Sequence, residues 1–238
     1  MTERIEKAYY LKEEELAVLL SIMGVRQLYG FRMDRCADIW GDELHRILFG
    51  MARKGILSLK DGKLLIHTQT EAVLRDIVGA DSVLILTGGE KYPESCIYAG
   101  NNMVFVQLLG QSGKICRIEP VCRKRAAQKM QEYGWTVPGA AADAQAVCTG
   151  DEETCLQLQK QAGILYHMEK DELLQKKEVL CTLTQYSVRQ NRKIRRLLIL
   201  NGVLGDYMTV SDGKQNFIYP YSQENSEELL GRLIGGAV

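Results

Sequence analysis

Three absences bound this 238-residue sequence before any motif is read. There is no excess of charge: Lys+Arg and Asp+Glu are 30 each, whereas nucleic-acid binders usually carry a clear basic surplus for phosphate neutralisation. That weighs against DNA binding. No Cys-x-x-Cys pair occurs among the seven cysteines, which stand at 36, 96, 116, 122, 148, 155 and 181, an odd count. Scattered single cysteines in apolar contexts, such as Cys116 and Cys181, behave as small buried hydrophobes in a reducing compartment, so a cytoplasmic location is predicted. Long hydrophobic runs are missing as well. The start MTERIEKAYYLKEEE has no apolar core of the signal-peptide kind, and no window approaches about 18 uncharged apolar residues. Neither export by a signal peptide nor a membrane span is predicted.

Catalytic, cofactor and metal signatures are also lacking. His45, His67 and His167 lie far apart, with no His-x-x-x-His spacing and no neighbouring Cys pair. Gly88-Gly89 and the Gly110-x-x-Gly113 spacing do not open a helix after a strand in the order a phosphate loop requires, so they read as turns. No Gly-x-Ser-x-Gly elbow surrounds a nucleophile. The sequence therefore predicts no enzyme, no cofactor and no metal.

What is present is ordered punctuation. Lys12 to Met23 places Leu16, Leu19, Leu20 and Met23 on one side of a helix that ends at Gly24, with Glu13-Glu14-Glu15 in its first turn. A second apolar stripe, Leu44, Ile47, Leu48 and Met51, starts at Asp42 as N-cap and stops at Gly55. Two short strands, Ile56 to Leu59 and Lys63 to Ile66, flank Asp61-Gly62, a favoured hairpin turn. A third helix is predicted from about Thr70 to Val78. Strands follow over Ser82 to Leu86, Ser95 to Ala99, Met103 to Leu109 and Lys114 to Ile118, then a basic helix over Cys122 to Tyr133. Residues 137–148 are small and Ala-rich and read as a linker. Thr149 and Glu152 fit a capping box for a helix to about Ala162, and Lys170 to Lys176 gives another. Four further strands, Glu178 to Val188, Lys193 to Leu200, Leu204 to Ser211 and Gln215 to Tyr219, precede a terminal helix from about Ser226.

Two stretches about 100 residues apart match in register. Gly113-Lys114-Ile115-Cys116-Arg117-Ile118-Glu119-Pro120 is answered by Gly213-Lys214-Gln215-Asn216-Phe217-Ile218-Tyr219-Pro220, and Gly55-Ile56-Leu57 by Gly163-Ile164-Leu165. Turn glycines and strand prolines are held by backbone geometry while other side chains drift. The fold class predicted is α+β: a pseudo-twofold arrangement of two helix plus four-strand antiparallel meander units, with a winged-helix-like N-terminal segment at about 42–67. The first unit would span 1–136 and the second 149–238, joined by the linker 137–148 into one composite domain.

Two sets of candidate contact residues follow. If the helix and hairpin of the winged-helix-like segment meet nucleic acid, His45, Arg46, Arg53 and Lys54 would approach from the helix and Lys60 and Lys63 from the wing. A second basic run, Arg189 to Arg196, reads as a solvated hairpin tip. If the chain instead binds a protein, an apolar patch is needed, and Tyr92, Ile97, Tyr98, Met103 and Phe105 of the first meander, with Tyr207 and Met208 of the second, are the candidates.

The order of a Tyr-rich start, an amphipathic helix, a winged-helix-like unit ending Arg53-Lys54-Gly55-Ile56-Leu57, a meander, a basic helix, a linker, a second meander and a terminal amphipathic helix resembles the EspG family of type VII (ESX) secretion-associated chaperones. That resemblance implies a bacterial cytosolic adaptor without enzymatic activity, whose mixed sheet and helices hold a helical protein substrate. The alternative is a winged-helix nucleic-acid-binding regulator. A homodimer through a sheet edge or the terminal helix is compatible with either.

Overall fold

In the structure, a computed structural model, residues 8–31, 39–87, 95–109, 115–132, 179–202, 205–211, 216–220, 229–231 and 233 are described. The predicted linker, the helices expected at 149–162 and 170–176, and Gly163 lie outside them. The chain is α+β with antiparallel sheets, as its sequence predicts. It divides into two compact units, Met1–Val83 with Ser95–Val121, and Leu84–Glu94 with Cys122–Val238.

The first unit opens with a strand the periodicity did not announce, β1 (Tyr9–Lys12), followed directly by helix α1 (Glu13–Ile22). Four residues, YYLK, are too few to show alternation. The Glu15 carboxylate turns back onto the Lys12 backbone N–H at 2.9 Å and satisfies one of the helix's orphan donors. Helix α1 ends at Gly24, φ +78°, where the N–H of Gly24 donates to Ser21 and that of Val25 to Leu20, both at 2.9 Å.

Helix α2 (Gly41–Arg53) is closed in the same way. Gly55 at φ +69° donates to Ala52 at 3.0 Å and Ile56 to Met51 at 3.0 Å, the paired bonds of a Schellman ending, which only glycine accommodates without strain. The start of α2 differs from expectation. Trp40, not Asp42, is its N-cap, and Asp42 and Glu43 lie in the first turn, where their charge complements the positive end of the helix.

Strands β2 (Leu57–Lys60) and β3 (Lys63–Ile66) pair in a separate two-stranded sheet. Asp61 and Gly62 take φ of 53° and 73°, the two left-handed positions of a tight hairpin turn, and the His67 N–H donates to the Ile56 carbonyl at 2.8 Å to close the base. Helix α3 (Thr68–Val78) starts two residues earlier than predicted.

Consecutive strands β5 (Ser95–Ala99), β6 (Met103–Leu109) and β7 (Ile115–Val121) pair antiparallel, and β1 adds to β7 from Tyr9↔Ile118 to Lys12↔Ile115. β7 runs three residues past its predicted end, through Pro120. The proline lies beyond the last residue paired with β1, where β7 has β6 as its paired neighbour, the setting in which a strand tolerates a missing N–H.

Strand β4 (Ser82–Thr87) begins in the first unit, and its residues from Leu84 belong to the second. A short 3-10 turn (Arg123–Arg125) and helix α4 (Ala126–Glu132) replace the single basic helix predicted there. Strands β8 (Val179–Ser187), β9 (Arg192–Gly202), β10 (Gly205–Ser211) and β11 (Asn216–Pro220) pair in sequence order, all antiparallel. Pro220 thus lies on the outer strand of that order, and the described parts of the two matched stretches, Ile115–Pro120 and Asn216–Pro220, lie on β7 and β11. Leu229, Leu230 and Leu233 are helical and buried, and the Gln185 side-chain amide donates to the Leu233 carbonyl at 2.7 Å.

Candidate protein-binding surface

The apolar candidates of the first meander are interior. Ile97, Tyr98, Met103 and Phe105 are each at most 2% exposed, and the register sets Ile97 opposite Phe105. Both faces of β5 and of the first half of β6 are covered, so alternate side chains that could have faced solvent are all buried. Tyr98 is held by its hydroxyl, which donates to the Tyr29 carbonyl at 2.6 Å, and burial pushes its ionisation well above the usual tyrosine range. In the second meander Met208 is fully buried against the same expectation, with Ile199 as its register partner. These five present no apolar patch. Tyr92 and the Tyr207 side chain lie outside the description, though the Tyr207 backbone pairs with Leu200 and Pro220.

The basic candidates are exposed but not equally available. Lys54 places its Nζ 2.6 and 2.8 Å from the two carboxylate oxygens of Glu15, a side chain only 5% exposed, and so ties the end of α2 to the start of α1. Arg46 leans on Glu43 at 3.4 Å. The side chains of His45, Arg53, Lys60 and Lys63 make no hydrogen bond or ion pair among the described residues. Asp42 and Glu43 at the start of α2 put negative charge where a recognition helix meets phosphate, which disfavours the nucleic-acid arrangement. In the second unit, the predicted solvated tip is a turn in which Arg189, Gln190 and Asn191 are exposed between Ser187 and its partner Arg192.

Sequence reasoning missed the apolar side chains that do reach solvent. Among the described residues nine large ones are exposed, and five of them, Trp40, Phe49, Leu59, Leu64 and Leu65, fall on α2 and the β2–β3 hairpin. Two signals were legible. Phe49 falls four residues after His45 and four before Arg53, on the helix face away from Ile47 and Met51, and Leu64-Leu65 are adjacent in a strand, so they must point to opposite faces.

Among the described residues no group of three or more His, Cys, Asp or Glu could hold a metal ion. Burial raises the Cys116 thiol to about 12, helped by the negative charge of Glu13, and burial likewise raises Cys181 to about 12. Both are therefore poor nucleophiles. Cys122 is exposed.

The chain has an EspG-like fold. Among the solved structures it matches is the Mycobacterium tuberculosis type VII secretion system chaperone EspG5 in complex with the PE25-PPE41 dimer, at a TM-score of 0.63 over 98% of this chain and 97% of that one. Sequence identity is 12%, so the likeness establishes the fold. No family model and no curated protein matches the sequence. Among the described residues, no helix is long and apolar enough to cross a membrane.

Proposed function

We propose that the chain is a non-enzymatic cytosolic adaptor or chaperone that holds a helical protein, of the kind type VII systems export. The observation that carries this reading is the match to EspG5 along almost the whole of both chains. The duplication of two meander units into one composite domain, 1–136 and 149–238 joined by 137–148, belongs to the same proposal. Its role would be to present a rigid scaffold for another macromolecule.

The test is purification of the tagged chain from its own cell, with nuclease and in about 500 mM salt, where phosphate contacts are weakened. A second protein in fixed stoichiometry is expected. Recovery of nucleic acid at low salt, or of the chain alone, would overturn the proposal. The winged-helix reading keeps one point in its favour, the exposed His45, Arg53, Lys60 and Lys63, whose side chains have no partner among the described residues. It requires retention of generic duplex DNA that falls steeply with salt. A homodimer would show as twice the chain mass by light scattering.

A further inference from the structure

The second meander has two unlike faces. Leu183, Leu197 and Met208 share one of them and are fully buried, and Gln185, on that same side, holds the Leu233 carbonyl. The other face carries Arg196 in mid-strand on β9, with Thr184 of β8 and Ser211 of β10 directly opposite it in the two ladders. Direct cross-strand partners leave the sheet on the same side with Cβ atoms about 4.5–5.5 Å apart, so a hydroxyl-bearing residue flanks Arg196 on either hand. All three are half-buried, and Thr182, two residues along on this side, is buried. In that setting the Arg196 Nε is shielded from solvent without a hydrogen-bond partner, and the side chain makes no ion pair among the described residues.

A guanidinium stays charged at any working pH, and a dehydrated N–H without an acceptor costs free energy. Elsewhere the fold answers such a group internally: Arg117 donates to the Glu119 carboxylate at 2.8 Å. Among the described residues nothing does this for Arg196. Strands β8 to β11 carry Arg192, Lys193, Arg195 and Arg196 but a single acidic residue, Asp206, whose register partner Asn201 is five residues along β9 from Arg196, about 16 Å away.

We infer that Arg196 is a docking point for a carboxylate of a partner protein, an acidic side chain received by the guanidinium fork with Thr184 and Ser211 beside it. Paired N–H groups in one plane match the two oxygens of a carboxylate, and partial dehydration strengthens the pairing. A phosphate backbone fits less well. Phosphate sites draw on free backbone N–H groups, and those of β9 around Arg196 lie between two paired strands. The inference rests on the adaptor reading and gives it one specific contact.

The test uses the full chain, isotope-labelled in nitrogen, with the Arg196 Nε–Hε resonance assigned by its loss in R196Q. Titration with acetate moves that resonance to a plateau; acetamide, alike in shape and uncharged, leaves it in place, and inorganic phosphate moves it less than acetate at matched ionic strength. The co-purified partner supplies the second arm. R196Q lowers its affinity by about tenfold or more, and R196K, which keeps the charge without the fork, lowers it by less. Arg196→Met raises the urea midpoint of the isolated chain, whereas removal of an arginine that served the fold would lower it. No shift with acetate, an equal shift with acetamide, a larger one with phosphate, a lowered R196M midpoint or undiminished partner affinity in R196Q would each overturn the inference. A partner that binds wild type and R196Q equally leaves the adaptor reading standing and removes Arg196 from it. A response to acetate in a chain that recovers no partner ends both, leaving a bare anion site.

Discussion

Strands β5 and β6 and the β2–β3 hairpin are built from similar residues and end in opposite circumstances. Cys96, Ile97, Tyr98, Val104, Phe105 and Val106 are all buried, whereas of the hairpin's strand residues only Leu57 is. The difference is neighbours. β5 and β6 lie in a multi-stranded sheet with both faces covered, while β2 and β3 have only one another across their ladder. A leucine left in water forgoes on the order of 1.5–3 kcal/mol that burial would provide, so Leu59, 72% exposed, contributes little to folding.

The sharpest way to break that comparison is to truncate one residue on each side. Phe105→Ala should cost about 3–5 kcal/mol and Leu59→Ala no more than about 0.5 kcal/mol, measured by urea denaturation. A Leu59→Ala cost above about 2 kcal/mol would show that the hairpin is covered after all. Next comes the ion pair that anchors α2 to α1. Lys54→Met leaves the buried Glu15 carboxylate with the Lys12 N–H but without its cation, and should cost about 1–3 kcal/mol, discounted toward the lower figure because the lysine is half exposed. A double-mutant cycle with Glu15→Gln should recover part of that loss as coupling; simple additivity would contradict the pairing.

Within α2, two glycines should behave oppositely. Gly55→Ala forces a side chain into a left-handed position and should destabilise by about 1–2 kcal/mol. Gly50→Ala, mid-helix with open space at its Cβ, should stabilise by about 0.5–1 kcal/mol. A last effect is alkaline. The Cys116 thiol stays protonated in the folded state up to about 12, against 9.0 for the ordinary thiol. Folding then favours the protonated form, so its contribution is fully present below pH 9 and declines as pH rises from there toward 12. The urea midpoint should fall over that range, and Cys116→Ala should flatten the fall. A wild-type midpoint independent of pH would contradict burial of the thiol.

Much of the fold was legible because its signals are local. Gly24 and Gly55 mark helix ends by backbone geometry, Asp61-Gly62 marks a hairpin, and the ranges of β5 and β6 follow from their bounding turns. Element order also carried the EspG resemblance, which the structural match supports at the level of fold. Failures came where the answer lies in three dimensions. β1 exists because β7 offers it an edge. Ile97, Tyr98, Met103 and Phe105 looked like an interface because alternation cannot tell a strand covered on one face from one covered on both. Lys54 reads as a phosphate contact until Glu15, 39 residues earlier, is brought to its side.

Hydrogen exchange on the chain tests the central claim most directly, that neighbours separate two stretches of similar residues. Amides of β5 and β6, inside the covered sheet, should exchange only at free energies near that of global unfolding, while those of 57–66 should exchange by local opening well below it. Equal protection of 57–66 and of β5 and β6 would contradict the account.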